Sequence, residues 1–279
     1  MSTRDLPVVV AIPAYNAEQT LGNLLPQVLE QEYDRVYVLD DRSTDHTLDI
    51  AYSFGRDVSV VHGEKNVGSG ANRNRIIGKI GPSVIHFLDA DVTLNSDKGP
   101  ERSRKALANP KIGFAGGIVR NPNGSQNPYN FGPRMSLKSS FLVSGVQYGV
   151  YAFGNKHPEL ARKLRESINR YLSEWPNTFE EPQAREVYWT AESNLVIRSV
   201  IFEALGGYNP KLRYHEIMEF SIRSHEAGLK SRFDPSIDVT HSEIDALNKK
   251  FNPEPIKAAT RIILGMGIKN WISSPKEKV

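Results

Sequence analysis

Apolar residues follow two rhythms along the first ninety positions. Val8 to Ile12 is an unbroken apolar run closed by Pro13, the pattern of a strand covered on both faces. Leu21, Leu24, Leu25, Val28 and Leu29 then recur at helical spacing, which predicts a helix with one face on a sheet. The alternation repeats. Val36 to Leu39 reads as a second strand, and Ser43 is positioned to cap a helix carrying Leu48, Ala51 and Tyr52. Val58 to Val61 is a third strand, Ser69 to Lys79 a helix, and Val84 to Leu88 a fourth strand. Short connections between alternating strands and helices predict an α/β fold. Its sheet is mostly parallel, flanked by helices, with the ligand site at the carboxyl ends of the strands.

The second half is less regular. Ile112 to Val119 reads as a strand interrupted by Gly116 and Gly117, and 121–134 is turn chemistry throughout, predicting a long surface loop. Leu160, Leu164, Ile168 and Leu172 mark one helix, Leu195 to Ile197 a short strand, and Ser199 to Leu205 a short helix stopped by Gly206 and Gly207. Glu216 to Ala227 is a helix ended by Gly228, and Ile237 to Val239 is a last strand before His241. No repeat or linker separates the halves. Residues 1–248 are therefore expected to share one sheet, as a first half (1–98) and a second half (99–248), with 249–279 as an extension.

Composition narrows the class. The chain has 279 residues, 39% apolar and 24% charged, as an ordinary globular protein does. It has no cysteine, which excludes disulfides, thiolate metal sites and cysteine nucleophiles. No apolar run approaches the ~18 residues of a membrane span, and no apolar leader opens the sequence, so a cytoplasmic location is expected. The net charge of +3 is uneven. From Lys249 onward, seven basic residues face two acidic ones, leaving the remainder at −2 and arguing against a nucleic-acid groove. In that extension Ile256, Ala259, Ile263 and Met266 form a stripe beside Lys257, Arg261 and Lys269, with Trp271 beyond. Such a segment suits an anionic membrane surface, a second copy of the chain, or packing on the main domain.

Acidic residues stand where strands end. Asp40 and Asp41 follow the second strand, Asp89-Ala90-Asp91 the fourth, and Asp238 lies three residues before His241. A carboxylate there needs a partner, a hydrogen bond or a metal. Carboxylates suit Mg²⁺ or Mn²⁺, and His241 as a nitrogen ligand favours Mn²⁺. Gly68-Ser69-Gly70 fails the dinucleotide fingerprint because Arg73 occupies the third glycine position and the segment follows the third strand. Backbone donors and Arg73 are still placed to meet a phosphate.

Taken together, these blocks resemble an inverting nucleotide-sugar glycosyltransferase of family 2, with the GT-A fold. Carrying the resemblance are Ile12-Pro13-Ala14-Tyr15-Asn16-Ala17-Glu18, Asp40-Asp41-Arg42-Ser43, Asn66-x-Gly68 with Arg73-Asn74, and Asp89-Ala90-Asp91. Ser193-Asn194-Leu195 and Phe202-Glu203-x-Leu205-Gly206-Gly207-Tyr208 continue it. The resemblance implies that Pro13, Ala14, Tyr15, Glu18 and Asp41 line the base and ribose pocket with Asp40 beside them. Arg73, Asp89 and Ala90 would lie near the nucleotide, and Asp91, His241 and Asp89 would hold the divalent ion across the diphosphate. The half 1–98 would bind the nucleotide. The half 99–248 would meet a glycan or lipid-linked acceptor through Trp189, Glu192, Asn194 and His215. The expected donor is of UDP or GDP type, and the site of action is the cytoplasm or the inner membrane face.

One departure concerns the proton acceptor. The family's Glu-Asp-x-Asp motif reads Glu216-Ile217-Met218-Glu219 here, so Ile217 replaces an acidic residue that usually carries the catalytic role. Glu216 is the favoured base and Glu219 the runner-up, with Glu192 and His215 as further candidates. A sugar-phosphate nucleotidyltransferase and a non-catalytic nucleotide-sugar or glycan-binding protein are the competing readings. The aromatics Tyr129, Phe131, Tyr148, Tyr151, Phe153, Trp175 and Trp189 suit either sugar stacking, lipid contact or core packing.

Overall fold

A computed structural model describes residues 3–136, 144–242 and 258–262. The apolar runs of the first half become four parallel strands: β1 (Val8–Ala14), β2 (Arg35–Asp40), β3 (Val58–His62) and β4 (Val84–Leu88). β1 lies between β2 and β4, and β3 flanks β2. On one face, α1 (Leu21–Leu29) turns Leu21, Leu24, Leu25 and Val28 against Val10, Ile12, Val36 and Val38, and α2 (Thr47–Ser53) adds Ala51. On the other face Val9, Ala11, Leu39 and Phe87 meet Phe202 of α8 (Ser199–Ala204) and Phe220 of α9 (Glu216–Glu226). The short α3 (Ser69–Arg73) also follows β3, and α4 (Gly99–Ala106) opens the second half.

That half continues the same sheet. β10 (Asn194–Arg198) runs antiparallel between β4 and β6 (Ile112–Arg120), and β11 (Lys230–His241) lies parallel to β6. β5 (Val92–Leu94) and β8 (Arg185–Val187) pair antiparallel with β11. Among the described residues the order is β3-β2-β1-β4-β10-β6-β11-β5 with β8 also on β11, and β1–β4, β6 and β11 all point one way. The mostly parallel sheet expected from the sequence is present. β7 (Phe131–Gly132) and β9 (Trp189–Thr190) form a small separate ladder.

Several local expectations change for identifiable reasons. β6 is uninterrupted, because its glycines admit neighbours: a Cβ at Gly117 would sit 2.2 Å from the Asn194 amide, and one at Gly116 2.4 Å from Thr190. Segment 121–134 is not a surface loop throughout. Gln126, Asn130 and Phe131 are buried, and Asn130 exchanges hydrogen bonds with both backbone groups of Val119. Ser43 does not cap α2; its hydroxyl accepts the Asn16 N–H, while Asp45 accepts the N–H of Thr47 at 3.0 Å. The single helix at 160–172 is α6 (Pro158–Ser167) followed by α7 (Asn169–Leu172), packed beside α5 (Ser144–Gly154). Leu160 and Leu164 are exposed, because the inward face is built around Arg165. Its guanidinium donates to Gln147, Leu172 O and Trp175 O.

The Ile237–Val239 run belongs to the twelve-residue β11, whose register shifts between Phe233 and Asp238. In the extension, Ala258 and Ile262 pack with Met135, Leu212 and Ile222, and Arg261 reaches Lys211 O. The stripe positions Ile256, Ile263 and Met266, with Lys257, Lys269 and Trp271, lie outside the described residues. No helix among the described residues is long and apolar enough to cross a membrane.

A polar chain crosses the buried sheet. Asn194 donates to Ile118 O and Ile237 O at 3.1 Å, leaving its side-chain oxygen to accept from His86 Nε2 at 2.8 Å. The other ring nitrogen, Nδ1, then accepts from the Tyr33 hydroxyl at 2.8 Å. Burial pushes the His86 pKa down to about 4, against a weaker upward pull from its bond to Asn194. Because the folded pKa lies below the unfolded value, this contribution is complete above about pH 6.5 and is lost as pH falls towards 4. Unfolding in urea should show about 2 kcal/mol lost between pH 7 and pH 5 on this account. His86→Asn should flatten that part of the profile, and an unchanged slope in the variant would contradict it.

Candidate active site

The carboxyl ends of β2, β1 and β4 bring the first two acidic features to one edge of the sheet. Their neighbouring carboxylates have different partners. Asp40 is fully buried and closes its own turn, accepting the Arg42 and Ser43 N–H groups and contacting His62 Nδ1 at 2.8 Å. Asp41 accepts the Val67 and Gly68 N–H groups, the latter at 2.8 Å, and pairs with Arg75 at 3.1 Å. It therefore holds the glycine-rich loop against the end of β1. Pro13 and Ala14 are buried at that end, and Tyr15 follows with 51% of its surface exposed. Glu18 accepts the His46 N–H at 3.0 Å, and Asn16 accepts that of Thr44 at 2.8 Å. The loops after β1 and β2 are thereby zipped into one wall.

The third feature joins them through β11. Pairing of β11 with β5 sets His241 opposite Val92, beside Asp91. His241 Nε2 lies 3.3 Å from Asp91 Oδ1 and 3.8 Å from Asp89 Oδ2, and one ligand atom from each of the three falls within 4.8 Å of the others. All are partly exposed. Two carboxylates and an imidazole form a donor set suited to Mn²⁺. Asp238 is not part of the cluster. It is paired with Arg120 Nε at 2.8 Å and accepts from Asn95 at 2.8 Å, fixing the strand end that carries His241. Sequence reading grouped Asp238 with the acidic strand ends; nothing in its spacing showed that Arg120 would face it.

Behind the cluster lies Arg73, with no exposed surface. It pairs with Asp89 at 2.5 Å, reaches Glu192 O at 3.4 Å, and stands 3.9 Å from Glu192 Oε2. Burial raises the Asp89 carboxyl, but Arg73 and His241 outweigh it and bring it down to about 2. The opposite balance holds at Glu192: burial pushes it up to about 8, Arg73 opposes, and Glu216 and Asp89 reinforce the rise. Tyr208 is also raised by burial, and its hydroxyl is enclosed without a hydrogen-bond partner, as are Arg73 Nε and Glu192 Oε2.

Glu216 opens α9 and is 2% exposed. Burial raises its carboxyl, opposed by the N–H groups of Glu216 and Gly70 and by Arg73. Its Cγ lies only 2.7 Å from where a Cβ at Gly70 would stand. Glu219 faces elsewhere, in a two-pronged pair with Arg223 at 2.7 and 2.8 Å, while Arg223 also donates to Gly207 O at 2.8 Å. Ile217 is buried among Phe87, Phe114 and Phe220. His215 adopts φ of 62° as the residue before α9, and its carbonyl accepts the Met218 N–H. Trp189 and Asn194 point inward: the indole donates to Pro133 O and packs edge-on to Trp175, and Asn194 is consumed within the sheet. Trp189, Trp175 and Phe131 thus belong to the core, whereas Phe153 is 37% exposed.

Comparison with known proteins gives the family and the fold. A family model described as "Glycosyl transferase family 2" matches residues 9–167. The N-acetylglucosaminyl-diphospho-decaprenol L-rhamnosyltransferase of Mycobacterium tuberculosis is 24% identical over 254 residues, covering 86% of this chain and 76% of that protein. Among solved structures, residues 1–349 of S. aureus TarS in complex with UDP-GlcNAc align with a TM-score of 0.57 at 16% identity. That alignment covers 92% of this chain but 65% of that one, and a longer TarS chain is covered to 40%. The mannosyltransferase PcManGT from Pyrobaculum calidifontis, in complex with GDP-Man and Mn²⁺, aligns with a TM-score of 0.58 at 15% identity, covering 95% and 72%. These structures share the GT-A fold with this chain.

Contact between Gly70 and Glu216 has a directional test. A helical glycine replaced by alanine ordinarily gains about 0.5–1 kcal/mol. Gly70→Ala should instead lose about 1–3 kcal/mol in urea unfolding, because the new methyl collides with Glu216 Cγ. An equal or higher stability would show that α9 is not seated against α3.

Proposed function

The chain belongs to glycosyltransferase family 2, and from that membership we propose a divalent-metal-dependent enzyme that moves a sugar from a nucleoside diphosphate to an acceptor hydroxyl, with inversion. The observation that carries this reading is the convergence of Asp89, Asp91 and His241 at the sheet edge that also bears Tyr15 and Asp41. In this reading Pro13, Ala14, Tyr15, Glu18 and Asp41 form the wall for the base and ribose, with Asp40 fixing the turn behind them. Arg73 orients Asp89, and Ala90 spaces the two metal carboxylates. A bound Mn²⁺ or Mg²⁺ would neutralise charge on the departing nucleoside diphosphate.

The donor is of UDP or GDP type, in line with the ligands of TarS and PcManGT. The acceptor is a glycan or a lipid-linked alcohol; a diphospho-decaprenol substrate appears in the name of the mycobacterial relative. Peripheral contact at the inner membrane face, through the basic extension 249–279, fits a lipid-linked acceptor.

Calorimetry with UDP-N-acetylglucosamine and GDP-mannose tests the reading. At least one should bind with Mn²⁺ and lose about tenfold or more in affinity, roughly 1.4 kcal/mol, under chelation or in Asp91→Ala. Asp41→Ala should weaken the same donor by about 1–3 kcal/mol, the scale of a lost charged hydrogen bond. Binding that is indifferent to metal and to both substitutions would contradict the assignment.

A further inference from the structure

We propose that Glu192 is the carboxylate that takes the acceptor's proton, replacing the base that position 217 cannot supply. The inference rests on the transferase reading above and names the group that completes its chemistry. Four side chains compete for the role, and their surroundings separate them. Ile217 has no acceptor atom and is part of the apolar core. Glu219 spends both oxygens on Arg223. Glu216 is sealed at 2% exposure beneath Gly70, where the backbone N–H groups of Gly70 and of Glu216 itself engage its carboxylate. His215 serves as the left-handed residue that starts α9.

Glu192 is different on each count. Its side chain keeps 24% exposure, so it is open to a substrate. Its Oε2 is enclosed 3.9 Å from the Arg73 guanidinium and has no hydrogen-bond partner, so the carboxylate is held by charge alone and not by the two-pronged bonding that occupies Glu219. The residue lies on the short connection between β9 and β10, and this connection is tied to the metal cluster. Ser193 O accepts the Asp89 N–H at 3.1 Å, and Glu192 O accepts from Arg73 at 3.4 Å. Glu192 thereby stands across the Arg73 guanidinium from Asp89, one of the three residues that would hold the cation and the diphosphate. Arg73, Asp89, Glu216 and Tyr208 are the charged or titratable groups around it.

The step balances with the donor and a hydroxyl compound alone. The acceptor oxygen forms a bond to the anomeric carbon as the bond from that carbon to the diphosphate oxygen breaks. The hydroxyl proton passes to Glu192, the bonding pair leaves with the nucleoside diphosphate, and the proton later passes to water.

Donor hydrolysis tests the assignment without an identified acceptor, because water then supplies the hydroxyl. Release of nucleoside diphosphate from UDP-N-acetylglucosamine and GDP-mannose with Mn²⁺ is measured for the full chain and for Glu192→Gln, Glu192→Asp and Glu216→Gln, with donor affinity and melting temperature measured separately. Glu192→Gln should lower kcat by about 10²–10⁴-fold while donor affinity stays within about threefold. Glu192→Asp, which keeps the charge beside Arg73, should recover part of the rate and guards against a glutamine variant that fails to fold. Glu216→Gln should act mainly on melting temperature. Near-normal release by Glu192→Gln overturns the proposal. So does a loss confined to Glu216→Gln at unchanged stability. A wild-type chain that binds neither donor and releases no nucleotide overturns the transferase reading itself, and this proposal with it.

Discussion

A guanidinium with no exposed surface organises this molecule. Arg73 projects from the short α3 into the space between the end of β4 and the start of α9. A buried cation is tolerated only with compensating negative charge and hydrogen bonds, and Arg73 finds them in Asp89 and in the Glu192 segment. Burial alone would depress its pKa, but the surrounding carboxyl groups, Asp89 foremost, outweigh that effect and keep it charged. Removing Arg73 would leave Asp89, Glu192 and Glu216 facing one another across a poorly solvated gap. Three parts of the chain, distant in sequence, therefore meet at one charge.

The carboxylates around Arg73 are made unequal by their second partners. Asp89 has His241 as well and stays ionised; Glu192 has no comparable partner and is driven towards its neutral form. On the proposed assignment Asp89 would bind the cation and Glu192 would exchange a proton, two roles that call for different surroundings. Supports farther out keep the arrangement in place. Asp41 pins the glycine-rich loop, Arg120 and Asp238 pin the end of β11, and Arg223 joins α9 to the turn after α8.

Much of this was legible in the sequence, and the limits follow physical lines. The four parallel strands were readable because each is a short apolar run covered on both faces. The grouping of Asp89, Asp91 and His241 was readable because all three stand at strand ends, where the ends of neighbouring strands meet. Long-range pairings left no such trace. Asn194 looked like part of an acceptor segment, yet it bonds two carbonyls from β6 and β11 across space opened by Gly117. Arg165 carried no periodic signal, yet it turned a predicted helix face inside out. Glu216 and Glu192 were both candidate bases by position. Only packing, through Gly70 and the exposure of each carboxylate, separates them.

The central claim is that Asp89, Asp91 and His241 hold one divalent cation together with a nucleoside diphosphate. Pulsed electron paramagnetic resonance of Mn²⁺ added with UDP or GDP addresses it directly, since a coordinated imidazole nitrogen modulates the electron-spin echo. The account predicts a histidine nitrogen signal in the wild-type complex that disappears in His241→Ala. Tightly bound Mn²⁺ without a nitrogen ligand, or a nitrogen signal unchanged by His241→Ala, would contradict it.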